Sequence, residues 1–311
     1  MAEIVISEFM DAVAVDGLRK EFDVEYDKSL VDRPEDLAAG LGDCRALIVR
    51  NRTQVRGALL ESAPRLRVVG RLGVGLDNID LAACRERGIT VIPATGANNV
   101  SVAEYVLAGL LMLARGCYDR TQEVAAGRWP RESMVGGEIG GRTLGLVGFG
   151  GIARDVAVRA RAFGMRVIAS DPFLPETSPA WTEFGVTPVS LDALLAEADA
   201  VSLHVPLTPD TRHLLDAGRI ASMKCGAFMI NTSRGGIVDE TALAKALHAG
   251  VLGGAMIDVF EREPLPAGSP LADAPRCILT AHIAGVTRES NVRVSSLVAE
   301  KVAAALKEAE A

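Results

Sequence analysis

The chain has 311 residues, 49% hydrophobic, 23% charged and 4% aromatic, with a net charge of −7; that length suggests two globular domains. The acidic balance offers no field to draw nucleic acid or anionic lipid, and the aromatics are too few for a base-stacking platform. The longest apolar run, Tyr105 to Ala114 between Glu104 and Arg115, is too short for a bilayer span, and the N-terminus reads as having no signal peptide, so a cytoplasmic location is expected.

In chain order, strand-like runs fall at Ile4–Ile6, Val24–Tyr26, Ala46–Val49, Arg67–Val69 and Thr90–Ile92, with helical patterns between them such as Gln54–Ala63 and Asn78–Arg87. This alternation argues for a small parallel sheet covered by helices. One long amphipathic helix is predicted from Ser101 to Ala125, with Ser101 and Glu104 as a capping box. Gly127 to Gly137 reads as a loop or arm. A strand at Thr143–Val147 then leads into Gly148-Phe149-Gly150-Gly151-Ile152-Ala153, a helix over Ile152–Phe163 and a strand over Arg166–Asp171. Later strands are predicted at Ala200–His204, Ala227–Ile230, Gly254–Ile257 and Cys277–Leu279, with a helix at Glu240–Ala249 and a last helix from Arg288 to Glu310. That last helix has too little company to form a domain and is expected to pack on the first sheet. The second βα series, near 99–287, then reads as an insertion. The five cysteines (Cys44, Cys84, Cys117, Cys225 and Cys277) form no Cys-x-x-Cys pair, so reduced thiols are expected and no metal site.

The glycine segment is a dinucleotide-binding fingerprint in its confirming context of strand, helix and a later acid. Gly148 permits the turn, Gly150 lets a pyrophosphate approach the backbone, and Ala153 takes the usual third glycine position. The helix N-terminus at Gly151 and Ile152 offers N–H donors. Asp171 stands where a ribose 2′-hydroxyl would bind, and its charge repels a 2′-phosphate, which favours NAD over NADP.

Four histidines are present. His248 reads as a surface residue and His213 as a structural loop residue. His204, before Val205-Pro206, either borders the cofactor or caps a strand end. His282 follows a strand at the edge where open α/β sheets bind ligands, and Arg234 and Glu263 occupy equivalent edges. Hydride transfer from a secondary alcohol calls for a base poised near neutrality, a carboxylate to hold it, and a guanidinium to clamp the substrate carboxylate. The trio suits those roles; ordinary strand-end charges are the alternative.

With these residues in view, the chain resembles the D-isomer-specific 2-hydroxyacid dehydrogenases, the group that contains D-3-phosphoglycerate dehydrogenase. The resemblance rests on Val147–Ile152, Ser202–Pro209, Ile230–Asp239, Asp258–Pro264 and Thr280–Gly285, and it covers essentially the whole chain. It implies an α/β fold of two doubly wound parallel-sheet domains. A Rossmann NAD-binding domain (99–287) would be inserted in a flavodoxin-like substrate domain (1–98 plus 288–311), with substrate and cofactor meeting in the cleft. It implies that Arg234 binds the substrate carboxylate, Glu263 pairs with the histidine and His282 is the acid/base. Expected NAD contacts are Gly148, Gly150, Gly151, Ile152, Asp171, His204, Val205, Pro206, Thr232, Ser233, Arg234, Asp258, His282, Ala284 and Gly285. Backbone N–H groups near Val74 and Gly75, in Gly73–Asp80, would bind the substrate anion. Asn98 would join the substrate site. The helix and arm near 101–140 would form a homodimer. Ala281 departs from the family's usual proline and Ala153 from its glycine; neither removes a functional group. The regulatory domain of some family members is not expected here.

Arg50, Asn51 and Arg52 occupy the stretch that faces the substrate's far end in the family. Two arginines suggest a second anion on C3, a phosphate or sulfonate, although Arg52 also reads as a solvated surface charge. The default substrate is 3-phosphoglycerate. The alternatives within the family are sulfolactate, whose dehydrogenases carry a segment similar to Ile48–Gln54, and hydroxypyruvate or glyoxylate. Stereochemistry stays open. The competing readings are an NAD-sensing scaffold and an enzyme oxidising formate or phosphonate.

Overall fold

The computed structural model describes residues 2–308, and of Asp119 the backbone alone. The chain divides into two compact units, one running to Asn98 and resuming at Val286, the other Asn99–Gly285. The second crossing therefore falls at 285/286 rather than 287/288. The reason is local: Thr287 and Ser290 cap the last helix reciprocally, each backbone N–H donating to the other's hydroxyl (2.9 and 3.0 Å), so the cap belongs with its helix.

The first unit is a five-stranded parallel sheet of β1 (Ile4–Ile6), β2 (Val24–Tyr26), β3 (Ala46–Val49), β4 (Val68–Arg71) and β5 (Thr90–Pro93). Its order, β2-β1-β3-β4-β5, is the flavodoxin-like one. The final helix, Arg288–Glu308, lays Val294, Val298, Val302 and Leu306 against Ile4, Ile6, Ala46, Ile48 and Val68. Gly70 lets it lie close, since a Cβ there would come 2.7 Å from Val298 Cγ1. The predicted end of this helix, Glu310, lies outside the described residues.

The second unit is a seven-stranded parallel sheet: β6 (Thr143–Val147), β7 (Arg166–Ser170), β8 (Thr187–Pro188), β9 (Ala200–Leu203), β10 (Phe228–Asn231), β11 (Gly254–Ile257) and β12 (Cys277–Leu279). The order is β12-β11-β10-β9-β6-β7-β8, the doubly wound arrangement with its reversal between β9 and β6. Strands β9 to β11 are buried along their whole length, which explains their near-continuous apolar sequence. The two-residue β8, half of it proline, gave no strand signal.

Three helical expectations are corrected. The predicted Ser101–Ala125 helix is two: Asn99–Arg115, then a 3-10 turn at Tyr118–Arg120 and a short helix at Thr121–Ala125. Gly116, at φ 57°, takes the left-handed conformation that ends the first. Ser101 lies inside that helix, so no Ser101–Glu104 capping box forms. The patterns at Gln54–Ala63 and Asn78–Arg87 shrink to Ala58–Glu61 and Leu81–Glu86. Their leading residues are spent on loop pairing: Val55 bridges Ile79, and the Asn78 amide donates to the carbonyls of Arg50 (3.0 Å) and Thr53 (2.7 Å).

Candidate active site

In the second unit the expected cofactor and catalytic residues follow the carboxyl ends of its parallel strands, where an open sheet binds ligands. After β6, Gly148 stands at φ 89°, and a Cβ there would lie 2.5 Å from the His204 carbonyl oxygen. The loops after β6 and β9 therefore touch through a glycine. At Gly150 no heavy atom lies within 4 Å of a Cβ position, so the space before the helix Gly151–Ala162 is open. No side chain caps that helix, which leaves the first N–H groups and the positive dipole end for an anion. Ala153 is wholly buried, so a methyl fits where glycine is usual. Phe149 stacks on Trp181 at 4.7 Å and fixes the loop from beneath.

Asp171 closes the loop from β7. Its carboxylate accepts from the N–H groups of Phe149 and Phe173, both at 2.9 Å. A carboxylate has about four acceptor positions, so capacity for a ribose hydroxyl remains. After β9, burial pushes His204 down to about 4, so its ring, 2.9 Å from the Ser202 hydroxyl, is neutral at physiological pH. Val205 and Pro206 follow it. After β10, the Thr232 hydroxyl is buried with no hydrogen-bond partner among the described residues. An orphaned buried hydroxyl is costly unless a ligand completes it. The open approach at Gly150, the uncapped helix and this hydroxyl fit NAD.

The three residues expected to be catalytic sit on the loops after β10, β11 and β12. Asn231 shapes the first: its carboxamide accepts from the Ser233 N–H and donates to the Arg234 carbonyl, both at 3.0 Å, while the Ser233 hydroxyl donates to the Leu203 carbonyl. The Arg234 guanidinium donates to its neighbour's carbonyl at Ser233 (2.6 Å). Gly235 must be glycine, since a Cβ would lie 1.7 Å from the Phe260 carbonyl oxygen. That close approach brings the loop of Arg234 against the loop of Glu263.

Glu263 and His282 are paired, with Oε2 2.8 Å from Nδ1. Oε1 accepts from the Phe260 N–H at 3.1 Å. Burial alone would raise Glu263, but the His282 hydrogen bond and charge, the Phe260 N–H and nearby Arg234 outweigh it and hold the carboxyl below its usual range. It is thus ionised at neutral pH. The stability this pairing contributes is present above the ordinary glutamate range and is lost as pH falls through the lowered value. With Nδ1 turned to Glu263, Nε2 is the nitrogen left to exchange a proton.

His282 has φ 55°, a left-handed conformation that costs a non-glycine residue about 1–2 kcal/mol. Asp258, at the end of β11 and 1% exposed, holds it there. The His282 N–H donates to the Asp258 carbonyl, and the Ile283 and Ala284 N–H groups donate to its two carboxylate oxygens, all at 2.8 Å. The Thr280 hydroxyl donates to Oδ1 at 2.6 Å. Sequence reasoning placed Asp258, Ala284 and Gly285 beside the cofactor and missed that Asp258 hangs the whole histidine turn. Of the other histidines, His213 pairs with Glu261 at 3.1 Å and His248 is exposed.

In the first unit, a buried acid that sequence reasoning missed organises the stretch Arg50–Thr53. Glu8 accepts from the N–H groups of Arg50 (2.9 Å), Arg52 (3.2 Å) and Thr53 (3.0 Å). The Arg50 guanidinium donates to the Asn291 carboxamide oxygen (2.9 Å) and stands 5.6 Å over the Phe9 ring. Asn51 is exposed, and Arg52 is an exposed residue ion-paired to Asp32. The backbone N–H groups of Val74 and Gly75 take no part in the hydrogen bonds of the described residues. The Asn98 carboxamide oxygen is buried without a partner among the described residues.

Residues 107–284 match the family model of the D-isomer specific 2-hydroxyacid dehydrogenase NAD binding domain. The chain is 57% identical to an (S)-sulfolactate dehydrogenase of Chromohalobacter salexigens, over 98% of this chain and 99% of that one. It is 37% identical to a D-3-phosphoglycerate dehydrogenase of Archaeoglobus fulgidus over 96% of this chain, and spans 56% of that protein's length. The TT0316 protein of Thermus thermophilus superposes with a TM-score of 0.89 at 36% identity, covering 98% of this chain and 97% of that one.

Proposed function

The chain belongs to the D-isomer specific 2-hydroxyacid dehydrogenase family and is an NAD-dependent oxidoreductase acting on the CH–OH group of a 2-hydroxy acid, and from that premise we propose that its substrate is 3-sulfolactate. The observation that carries this reading is the 57% identity, end to end, with a protein named for that substrate. Charge supports it. Arg52 is ion-paired to Asp32, whereas the Arg50 guanidinium makes its contacts with a neutral amide and a ring, and Glu8 is the acid that acts on its charge. One guanidinium matches a sulfonate monoanion better than a phosphate, which carries about −1.5 to −2 at neutral pH. Within the first unit, Arg50 is therefore assigned the sulfonate.

In oxidation His282 Nε2 takes the hydroxyl proton. Glu263 keeps Nδ1–H oriented and stabilises the imidazolium that forms. Arg234 holds the carboxylate and polarises the C2 oxygen through its fork of donors. NAD, when bound, supplies the hydride acceptor. Gly150, Gly151 and Ile152 would hold its pyrophosphate, Asp171 its ribose, and His204, Thr232 and Ser233 its nicotinamide end.

Initial rates of NAD reduction at alkaline pH with each enantiomer of sulfolactate, 3-phosphoglycerate, glycerate and malate test the substrate. One enantiomer of sulfolactate should exceed 3-phosphoglycerate in kcat/KM by roughly a hundredfold or more. Arg50→Met should erode that preference far more than Arg52→Met. Equal or better turnover of 3-phosphoglycerate refutes the assignment.

The working form is proposed to be a cytoplasmic homodimer joined through the helix and arm near 101–140. Among the described residues no helix is long and apolar enough to cross a membrane. Along the arm Trp129 and Val135 are about four-fifths exposed and border a groove of about 540 Å³ with Pro130 and Met134. Apolar surface of that kind usually meets a partner. Sedimentation equilibrium should give twice the chain mass for the native protein and a lower mass for Trp129→Glu; a native monomer contradicts the proposal.

A further inference from the structure

We infer that Tyr105 is a positioning residue for His282, acting through Thr280 and Asp258. Tyr105 lies on the helix Asn99–Arg115, whose neighbouring buried positions, Val102, Val106 and Leu110, are wholly apolar. Its ring packs against that core while its hydroxyl meets the Thr280 hydroxyl. Donor counting sets the direction. Both Asp258 carboxylate oxygens accept from backbone N–H groups, and the single Thr280 hydroxyl proton goes to Oδ1. Tyr105 must then donate to the Thr280 oxygen. Burial pushes the phenol up to about 12, so it keeps its proton over the working pH range.

The result is a directed chain of donors, phenol to threonine to carboxylate. The same carboxylate receives the Ile283 and Ala284 N–H groups that flank the histidine. Hydrogen bonds in series polarise one another, and each fixes the next. The turn they secure carries a histidine in a left-handed conformation, which relaxes unless its surroundings hold it. A phenylalanine at 105 would fill the core equally well; the hydroxyl is what reaches the turn.

The position of the turn sets how well Nδ1 meets Glu263, so the network has a pH signature. Facing His282 are Glu263 and Arg234 from the loops after β11 and β10, with Asp258 beneath it and Tyr105 behind. Glu240 and Glu261 stand beyond Glu263. A loosened pairing with Glu263 stabilises the imidazolium less, which shows in the acid limb of the rate profile.

The test uses the full chain and the substrate that the rate comparison identifies. Tyr105→Phe should lower kcat about tenfold, the equivalent of about 1.4 kcal/mol. Its NADH affinity by fluorescence titration should be unchanged. The acid limb of kcat/KM for hydroxy-acid oxidation should move to lower pH. Thr280→Val should behave alike, and Thr280→Ser, which keeps the hydroxyl, should restore both kcat and the limb. A wild-type kcat and acid limb in Tyr105→Phe overturns the inference. So does a loss of kcat with the limb unmoved, or a Thr280→Ser variant as impaired as Thr280→Val. The inference rests on His282 as the proton-transfer group. Turnover surviving in His282→Ala sinks that assignment itself; an inactive His282→Ala beside an unaltered Tyr105→Phe sinks the inference alone.

Discussion

His282→Ala is expected to lower kcat by roughly 10²–10⁴-fold while NADH still binds with native affinity. Converted at about 1.4 kcal/mol per decade, that is a barrier increase of about 3–5 kcal/mol. Glu263 occupies Nδ1 at 2.8 Å, so Nε2 is the remaining site of proton exchange. The carboxylate stays ionised because the histidine, the Phe260 N–H and Arg234 offset its burial. Removing the imidazole takes away the proton acceptor and leaves Glu263 partly buried without its main partner, so Glu263 should titrate higher in the variant. The glycine loop after β6 and the helix N-terminus are untouched, which is why cofactor affinity should survive. Stopped-flow single turnovers, read beside a fluorescence titration of NADH, separate the two effects. A variant that keeps more than about a tenth of native kcat is incompatible with general-base catalysis by this residue.

Arg234→Ala is expected to lower kcat/KM for the hydroxy acid by roughly 10²–10³-fold, in line with losing a charge-assisted, bidentate contact in a partly enclosed site. Arg234→Lys should recover only part of it, because an ammonium lacks the planar fork. The structural reason is the tightness of its loop. Asn231 fixes the backbone on both sides of Ser233, and Gly235 presses against Phe260, so the guanidinium is presented from a backbone with little freedom. Steady-state kinetics with saturating NAD read the loss as KM for the acid. A change below about threefold would be what an ordinary solvated charge contributes, and would remove Arg234 from the substrate site.

Much of this site could be read in the sequence because its chemistry is local. A strand, a glycine turn, a helix and an acid in register announce a dinucleotide loop within one stretch of chain. His282, Arg234 and Glu263 stand out because each follows an apolar run. The supporting groups are hidden for the opposite reason. Glu8 meets Arg50–Thr53 across a strand crossover, and Tyr105 meets Thr280 from the far end of the unit. Neither spacing has any periodicity to detect. The strand-end position of Asp258 fits a cofactor contact, and only its four hydrogen bonds from Thr280, His282, Ile283 and Ala284 show what else it supports. Arg52 reads in the sequence either as a second anion contact or as a solvated surface charge, and nothing in the sequence places Asp32 beside it. The break at Gly116 was masked by apolar spacing that continues on both sides of it.

Glu8 carries a consequence for how such an enzyme changes its substrate over evolutionary time. The acid grips the stretch from Arg50 to Thr53 by main-chain N–H groups, which every residue except proline possesses. The path of the segment is therefore independent of the side chains it displays. Positions 50 to 52, which include the arginine assigned above to the far anion, can exchange residues while these main-chain bonds stay the same. Diversification then needs single codon changes in one short stretch, with little penalty in folding for each trial.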